Sequence, residues 1–296
     1  MIAKSPGDFR LLHFSDLHCY CFPFNVFTCF NKRAKGMLRQ LFCPLGFETR
    51  KIINHFSELI SGLSVDALCV TGDFTLTATK KEFLLAKNFI NHLKETLSVP
   101  IYLLPGNHDV YTKKAFSEGV FYKIFPNPQL QQGRVTFNKI SEQWWLVLLD
   151  CSYPNGWMTS HGKVDPMQIS VLENFFLNIP ADEKVIIANH YPLLATSRPY
   201  HDLINGKLLQ NMLKKYSNAK IYIHGHDHAA AVYSCKDHYP SLILNSGSIS
   251  DRKNARFNVI DVRSQGCSSF TMAIRGLRKK NSPLELELES SYELQF

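Results

Sequence analysis

Apolar runs alternate along this chain with stretches whose apolar residues recur at helical spacing. The runs Arg10–Ser15, Val65–Thr71, Ile101–Leu104, Trp144–Leu149, Lys184–Ala188 and Lys220–Ile223 read as strands. Between them, the spacing predicts helices over Thr49–Leu63, Lys80–Leu97, Met167–Leu177 and Gly206–Tyr216. Strands alternating with helices predict an α/β architecture. After His228 the pattern shifts to shorter β-rich runs, Ser241–Asn245, Ala255–Val262 and Ser269–Ile274, which would complete a second sheet packed on the first. The tail Leu284–Glu289 alternates Leu and Glu with period two, and both a half-buried edge strand and a frayed terminus satisfy it. No repeat or low-complexity linker divides the chain, so residues 1–296 read as one domain.

Just after successive predicted strands lie five short polar motifs: Asp16-Leu17-His18, Gly72-Asp73, Gly106-Asn107-His108-Asp109, Asn189-His190 and Gly225-His226-Asp227-His228. Open α/β sheets place ligands beyond the carboxyl ends of their strands, so motifs far apart in sequence are expected to converge there. Carboxylate and imidazole together suit Mn, Fe, Zn and similar dications, and a metal pair can clamp a phosphoryl group for in-line attack. Two adjacent dications also need a shared anionic ligand, a need that Asp73 at a strand end fits.

In this order the motifs resemble the calcineurin-like metallophosphoesterase superfamily, from Asp16 to His228. The resemblance implies a double β-sheet sandwich flanked by helices, with a dimetal site at the strand C-terminal ends. It implies that Asp16, His18 and His228 join Asp73 around one metal, and that Asn107, His190 and His226 join it around the other. The ions would be two divalent metals, Mn, Fe or Zn, with Mg also tolerated. His108 would be the general acid, and Asp109 would orient it by a hydrogen bond. The expected activity is a metal-dependent phosphoesterase that hydrolyses a phosphodiester, phosphomonoester or pyrophosphate bond by attack of a metal-bridging hydroxide. The chain departs from the common pattern at Asn189, where many members have His, and at Asp227, where Thr or Ser is usual. Metal preference and outer hydrogen bonding are what these two positions would alter.

Fold resemblance does not choose the substrate. A phosphorylated small molecule, such as a cyclic nucleotide, and a lipid-linked precursor bearing a pyrophosphate both stay open. So does a non-catalytic scaffold that keeps metals to bind protein, although such a scaffold has no use for His108. The net charge of +8 favours anionic partners, yet no nucleic-acid-binding motif accompanies it. Among the other histidines, His55 and His92 lie on helical patterns, His161 precedes a helix, and His224 is a candidate for outer contacts to the metal site.

The opening residues have no apolar run of the signal-peptide type, and no apolar stretch reaches transmembrane length, so a cytoplasmic location is expected. Eight cysteines form no Cys-x-x-Cys pair and read as free thiols. Segment 20–47 is far longer than an ordinary loop and rich in Phe and basic residues. Within it, Phe27–Leu41 has an amphipathic pattern that fits a lid, a peripheral membrane contact or a helix packed on the core.

Overall fold

The central strands of this protein are apolar on both faces, and the fold gives each of those faces a partner. The computed structural model describes residues 2–21, 46–235, 238–279 and 282–296. One six-stranded sheet contains β1 (Phe9–Phe14), β2 (Ala67–Val70), β3 (Ile101–Leu103), β12 (Arg256–Arg263), β13 (Gly266–Arg275) and β14 (Glu285–Gln295). Its order is β14-β13-β12-β1-β2-β3. The second contains β4 (Val135–Ser141), β5 (Trp144–Leu149), β7 (Lys184–Ala188), β9 (Ala219–His224), β10 (Ala231–Ser234) and β11 (Leu242–Asn245), in the order β10-β11-β9-β7-β5-β4. Two short strands, β6 (Gly162–Lys163) and β8 (Leu203–Ile204), pair with each other.

Side chains alternate across a strand, so neighbouring residues serve different cores. In β1, Leu11 packs with Cys69, Leu146, Ile186, Ile221 and Leu244 between the two sheets. Leu12 and Phe14 point the other way, against Ile52, Phe56, Phe83 and Phe89. Those residues come from α1 (Thr49–Ile60) and α2 (Lys80–Leu97), which cover the first sheet. The second sheet repeats the arrangement: Val147, Ile187 and Tyr222 meet Leu172, Phe176 and Leu209. They belong to β5, β7 and β9 and, after the short helices α3 (Lys113–Ser117), α4 (Val120–Ile124) and α5 (Pro128–Gly133), to α6 (Pro166–Asn178) and α7 (Gly206–Leu213). Helix, sheet, sheet and helix therefore form four layers. Burial on both faces explains why the strands appear as unbroken apolar runs instead of alternating patterns.

The central strands β1, β2 and β3 run parallel in one sheet, and β5, β7 and β9 run parallel in the other. Parallel neighbours bring their carboxyl ends to one edge, which is where the motif loops emerge. Helix α2 starts beside this edge, where Thr79 and Glu82 form a reciprocal cap. Its first turn is thereby fixed close to the loop that follows β2.

Strands after His228 are divided between the sheets, and do not simply complete the second one. β10 and β11 extend the second sheet, while β12, β13 and β14 extend the first beside β1. The tail is an edge strand, longer than its Leu/Glu alternation suggested, with Glu287 and Glu289 paired to Arg275 and Arg256 across it. Strand β4 and the short helices between residues 113 and 133 carry no strong periodicity and were not foreseen. The Phe27–Leu41 pattern lies outside the described residues. Among the described residues no helix is long and apolar enough to cross a membrane, and Cys19, Cys21, Cys69, Cys151, Cys235 and Cys267 are free thiols.

Candidate metal centre

Five strands deliver the polar motifs to one place. Asp16 and His18 follow β1, Asp73 follows β2, Asn107 and His108 follow β3, His190 follows β7, and His226 and His228 follow β9. The backbone there is bent into a costly conformation. Asp16, His18, Asp73, His226 and His228 all have positive φ, between 49° and 73°. A non-glycine residue pays about 1–2 kcal/mol for that region, and such strain collects where function demands a geometry. Backbone hydrogen bonds hold two of these residues, from Asp16 N to Gly72 O at 3.0 Å and from His18 N to Asp73 O at 2.9 Å.

Both carboxylates are used in the same divided way. Asp16 Oδ2 accepts the backbone N–H of His226 at 3.0 Å. Its Oδ1 is buried without a well-formed hydrogen bond, 3.1 Å from His228 Nε2 and 3.4 Å from His18 Nε2. Asp73 Oδ1 accepts the backbone N–H of His108 at 2.8 Å. Its Oδ2 lies 3.4 Å from His190 Nε2 and 3.9 Å from His18 Nε2. One oxygen of each carboxylate is thus anchored to backbone, and the other is aimed into the cluster.

The imidazoles converge on the same oxygens. His18 Nε2 and His228 Nε2 are 3.0 Å apart, and His190 Nε2 and His226 Nδ1 are 3.1 Å apart. Asn107 Oδ1 approaches His190 Nε2 to 3.2 Å. His190 Nδ1 donates to Thr71 O at 2.7 Å, which leaves Nε2 as the free lone pair. Three overlapping groups of donors result, Asp16 with His18 and His228, Asp73 with His190 and His226, and between them His18 with Asp73 and His108. Asp73 Oδ2 stands between the first two. An acceptor-rich, buried cluster of this kind needs positive charge at its centre, and borderline dications fit the mixed nitrogen and oxygen donors.

Electrostatics carry the same sign. Burial opposes ionisation of Asp16, yet His228 and His18 hold its carboxyl well below the ordinary range. Asp73 is lowered by His190 and His108 against the same burial penalty. Burial disfavours a charged His190, but Asp73 raises it to about 9. His226, by contrast, is held well below its usual value by burial and by His190. The two carboxylates create a field that retains cations.

Close backbone approach explains the motif glycines. A Cβ on Gly106 would sit 2.2 Å from Asp73 Oδ1, and one on Gly225 would sit 2.1 Å from Ser15 Oγ and 2.4 Å from Asp16 Oδ2. No side chain fits at either position.

His108 lies beside the first set, its ring centroid 4.9 Å from that of His18. Burial lowers its pKa to about 4, against the pull of Asp73. Its Nδ1 lies 2.6 Å from Leu76 O, so this carbonyl, and not Asp109, orients the ring. His108 therefore donates to Leu76 O in place of the hydrogen bond to Asp109 that the sequence led us to expect. Asp109 is fully buried and accepts from the backbone N–H groups of Phe74, Thr75 and Gly106 and from the Thr75 hydroxyl. It ties the loop after β2 to the loop after β3, which sets the distance between Asp73 and Asn107. Burial and the neighbouring Asp73 push its pKa up to about 7, and the four donors favour its charged form.

Asn189 donates to Cys151 Sγ at 3.1 Å and accepts from Tyr191 N, so this departure from the common pattern serves the loop and not the cluster. His224 Nδ1 turns to Gly225 O at 3.0 Å. His92 bonds Ser57 at 2.8 Å on the helical layer, and His161 faces Asp202 O at 3.2 Å. Two neighbours of the cluster were not foreseen. Phe47 stacks near His18, with ring centroids 4.4 Å apart, and His201 Nδ1 lies 3.3 Å from His226 Nε2. Neither carries a sequence signal, because each is a single residue in an irregular segment.

The chain is similar to several known proteins. The cyclic AMP phosphodiesterase CpdA of Escherichia coli strain K12 is 25% identical over 168 residues, covering 55% of this chain and 54% of that protein. A probable cyclic nucleotide phosphodiesterase of Coxiella burnetii is 26% identical over 180 residues, covering 60% of this chain and 65% of its own length. The chain thus spans about half the length of the first of these curated relatives. Among solved structures, a dimetal phosphatase from Danio rerio superposes with a TM-score of 0.63 at 12% identity, over 95% of this chain and 98% of the other. Purple acid phosphatase PPD1 of yellow lupin superposes at 0.62 with 10% identity, over 98% and 54%. These superpositions share the fold. The sequence model described as calcineurin-like phosphoesterase matches residues 9–230, which contain every motif of the cluster, and the chain belongs to that family.

Proposed function

We propose that this protein is a two-metal phosphodiesterase whose substrate is a nucleotide-type phosphodiester. The observation that carries the reading is the position of Asp73 Oδ2 between two sets of converging ligand atoms. Asp16, His18 and His228 would hold one ion and Asn107, His190 and His226 the other, with Asp73 shared. When bound, such a pair supplies an acidified water as nucleophile and neutralises charge on the phosphoryl oxygens.

The residues around it have separable tasks. Burial of the two carboxylates and Asn107 keeps bulk water from competing for the donors. His108 donates Nδ1–H to Leu76 O, so its Nε2 is the nitrogen available to exchange a proton with the leaving oxygen. Asp109, wholly buried, keeps the two loops in register. The complete donor set together with His108 supports an enzyme over a scaffold that merely retains metals.

The activities named for the curated relatives support a cyclic nucleotide as substrate. A second reading, a lipid-linked pyrophosphate, is favoured by one observation. Trp157, Met158 and Tyr200 are 58%, 82% and 48% exposed, on loops joined by the Ser160 N to Tyr200 O hydrogen bond at 2.9 Å. Ser160 in turn meets His201 beside the cluster, so an apolar rim adjoins the site.

The test loads metal-free protein with Mn²⁺ and assays cyclic AMP, bis(4-nitrophenyl) phosphate, 4-nitrophenyl phosphate and an acylated nucleoside diphosphate sugar in detergent. Two bound ions per chain and preferred cleavage of the diesters are expected. Preference for the acylated pyrophosphate selects the second reading. Absence of both metal uptake and hydrolysis sinks the enzyme reading.

A further inference from the structure

His226 uses both of its ring nitrogens. Its Nδ1 stands 3.1 Å from His190 Nε2 inside the second donor set, while its Nε2 stands 3.3 Å from Nδ1 of His201. A neutral imidazole that offers Nδ1 as a lone pair carries its proton on Nε2. That proton is directed at His201 Nδ1, which must then accept. We propose that His201 is a positioning residue of the metal centre, fixing His226 in the tautomer and orientation that present Nδ1 to the second ion. This rests on the two-metal reading of the site.

The neighbourhood of His201 permits two proton arrangements and distinguishes them. Ser160 Oγ lies 2.8 Å from the same His201 Nδ1. If Nδ1 of His201 carried the proton, it would donate to Ser160, and His226 Nε2 would face it as a second lone pair or not at all. His226 would then hold its proton on Nδ1, where a metal must bind. Ligation through Nδ1 therefore selects the arrangement in which His226 donates and His201 accepts. Outer hydrogen-bond partners of ligating imidazoles act in this way, setting tautomer and basicity.

His201 is placed firmly enough for the task. It ends a tight turn, Pro199–His201, in which His201 N donates to Arg198 O at 2.8 Å. The next residue, Asp202, accepts from the Thr196 N–H at 2.9 Å and the Thr196 hydroxyl at 2.7 Å, closing the loop on itself. The imidazole is only partly buried, so replacing it removes an acceptor more than it removes packing.

Calorimetric titration of the full metal-free chain with Mn²⁺ tests the proposal, with a thermal melt of each metal-free variant alongside. The variants are His201→Leu, which keeps bulk without an acceptor, and His201→Asn, whose amide oxygen can occupy the place of Nδ1. For His201→Leu, one of the two Mn²⁺ sites is expected to weaken by about 10- to 100-fold, with the other unchanged. His201→Asn is expected to recover most of that loss, and both metal-free melting temperatures should match the wild type. Two unaltered sites in His201→Leu would overturn the proposal, as would an Asn variant as weak as Leu. Equal weakening of both sites with a lowered melting temperature would show a packing role instead. A wild-type chain that binds fewer than two ions would fail before any variant is compared, and would remove the two-metal reading itself.

Discussion

The Nε2 atoms of His18 and His228 face each other 3.0 Å apart, although 210 positions separate them in sequence. Two imidazole nitrogens at that separation share one proton or one cation, and Asp16 Oδ1 lies close to both. Replacing His228 by Ala removes one of three close donors while leaving Asp73, His190, His226 and Asn107 intact. The expected result is a fall from two bound ions to one, with turnover reduced at least about 100-fold, beyond the range for outer partners. Elemental analysis after gel filtration, read beside the diester assay, checks both numbers. Retention of two ions would move His228 out of the metal centre.

Asp73→Asn tests the shared position. The amide keeps the size of the carboxylate and can still accept from His108 N–H, so the loops should stay in place. What is lost is the charge between the two donor sets, and with it the offset to repulsion between two dications about 3.5–4 Å apart. Metal content is expected to drop below one ion per chain, and hydrolysis to near background. A variant with full metal content and full turnover would refute the bridging role.

Gly225→Ala adds a single methyl group next to the first donor set. That methyl would lie 2.4 Å from Asp16 Oδ2, the oxygen that anchors the His226 backbone. Asp16 must shift, so metal affinity should fall together with stability, by about 1–3 kcal/mol as for other overpacked sites. Urea unfolding and Mn²⁺ titration measure the two losses. Gly133, where an added Cβ meets nothing within 4 Å, provides the control substitution.

Much of the strand framework was legible because strands buried on both faces are written as apolar runs. Lys80–Leu97 and Trp144–Leu149 have the bounds that periodicity suggested. The donor cluster was legible for a different reason: each motif sits at a strand end, and parallel strands share an edge. The remainder depended on long-range partners that leave no local trace. Asp109 was expected to hold His108, but its four donors come from loops that meet only in the folded chain. His201 is a lone histidine in an irregular segment until the turn after β9 brings His226 against it. Likewise β14 extends well beyond its Leu/Glu repeat because Ser290–Gln295 continue the antiparallel pairing with β13, and Arg263 pairs with Glu293 there.

His108→Ala should keep both ions, since the groups Asp16, His18, His228 and Asp73, His190, His226 both stay complete without it. Its Nδ1 is committed to Leu76 O, leaving Nε2 to serve the leaving oxygen. Help from a general acid matters most when the leaving group is basic. Turnover of an alkyl diester is therefore expected to fall by about 100-fold or more, and that of a nitrophenyl diester by much less. Equal losses on both substrates would make His108 a binding residue.

The last prediction concerns acid stability and the wholly buried His13. Its Nε2 lies 2.9 Å from Thr71 Oγ1, on the strand that leads into Asp16. Burial lowers its pKa to about 3, assisted by His224 and opposed by Asp16. In the unfolded chain the same imidazole titrates near 6.5. Between these two values the unfolded state binds the extra proton, so stability falls as pH drops below about 6.5 and continues falling towards about 3. Above 6.5 both states hold a neutral ring, and His13 contributes no pH dependence. The loss accumulated across the window is on the order of a few kcal/mol. His13→Gln keeps an amide that can pair with Thr71 and removes the titration. Urea unfolding of chelator-treated protein at pH 7, 6, 5 and 4 should give a shallower decline for the variant, so that any deficit at pH 7 narrows or reverses by pH 4. Parallel declines in the two proteins would assign acid sensitivity to other groups, foremost the lowered carboxyls of Asp16 and Asp73.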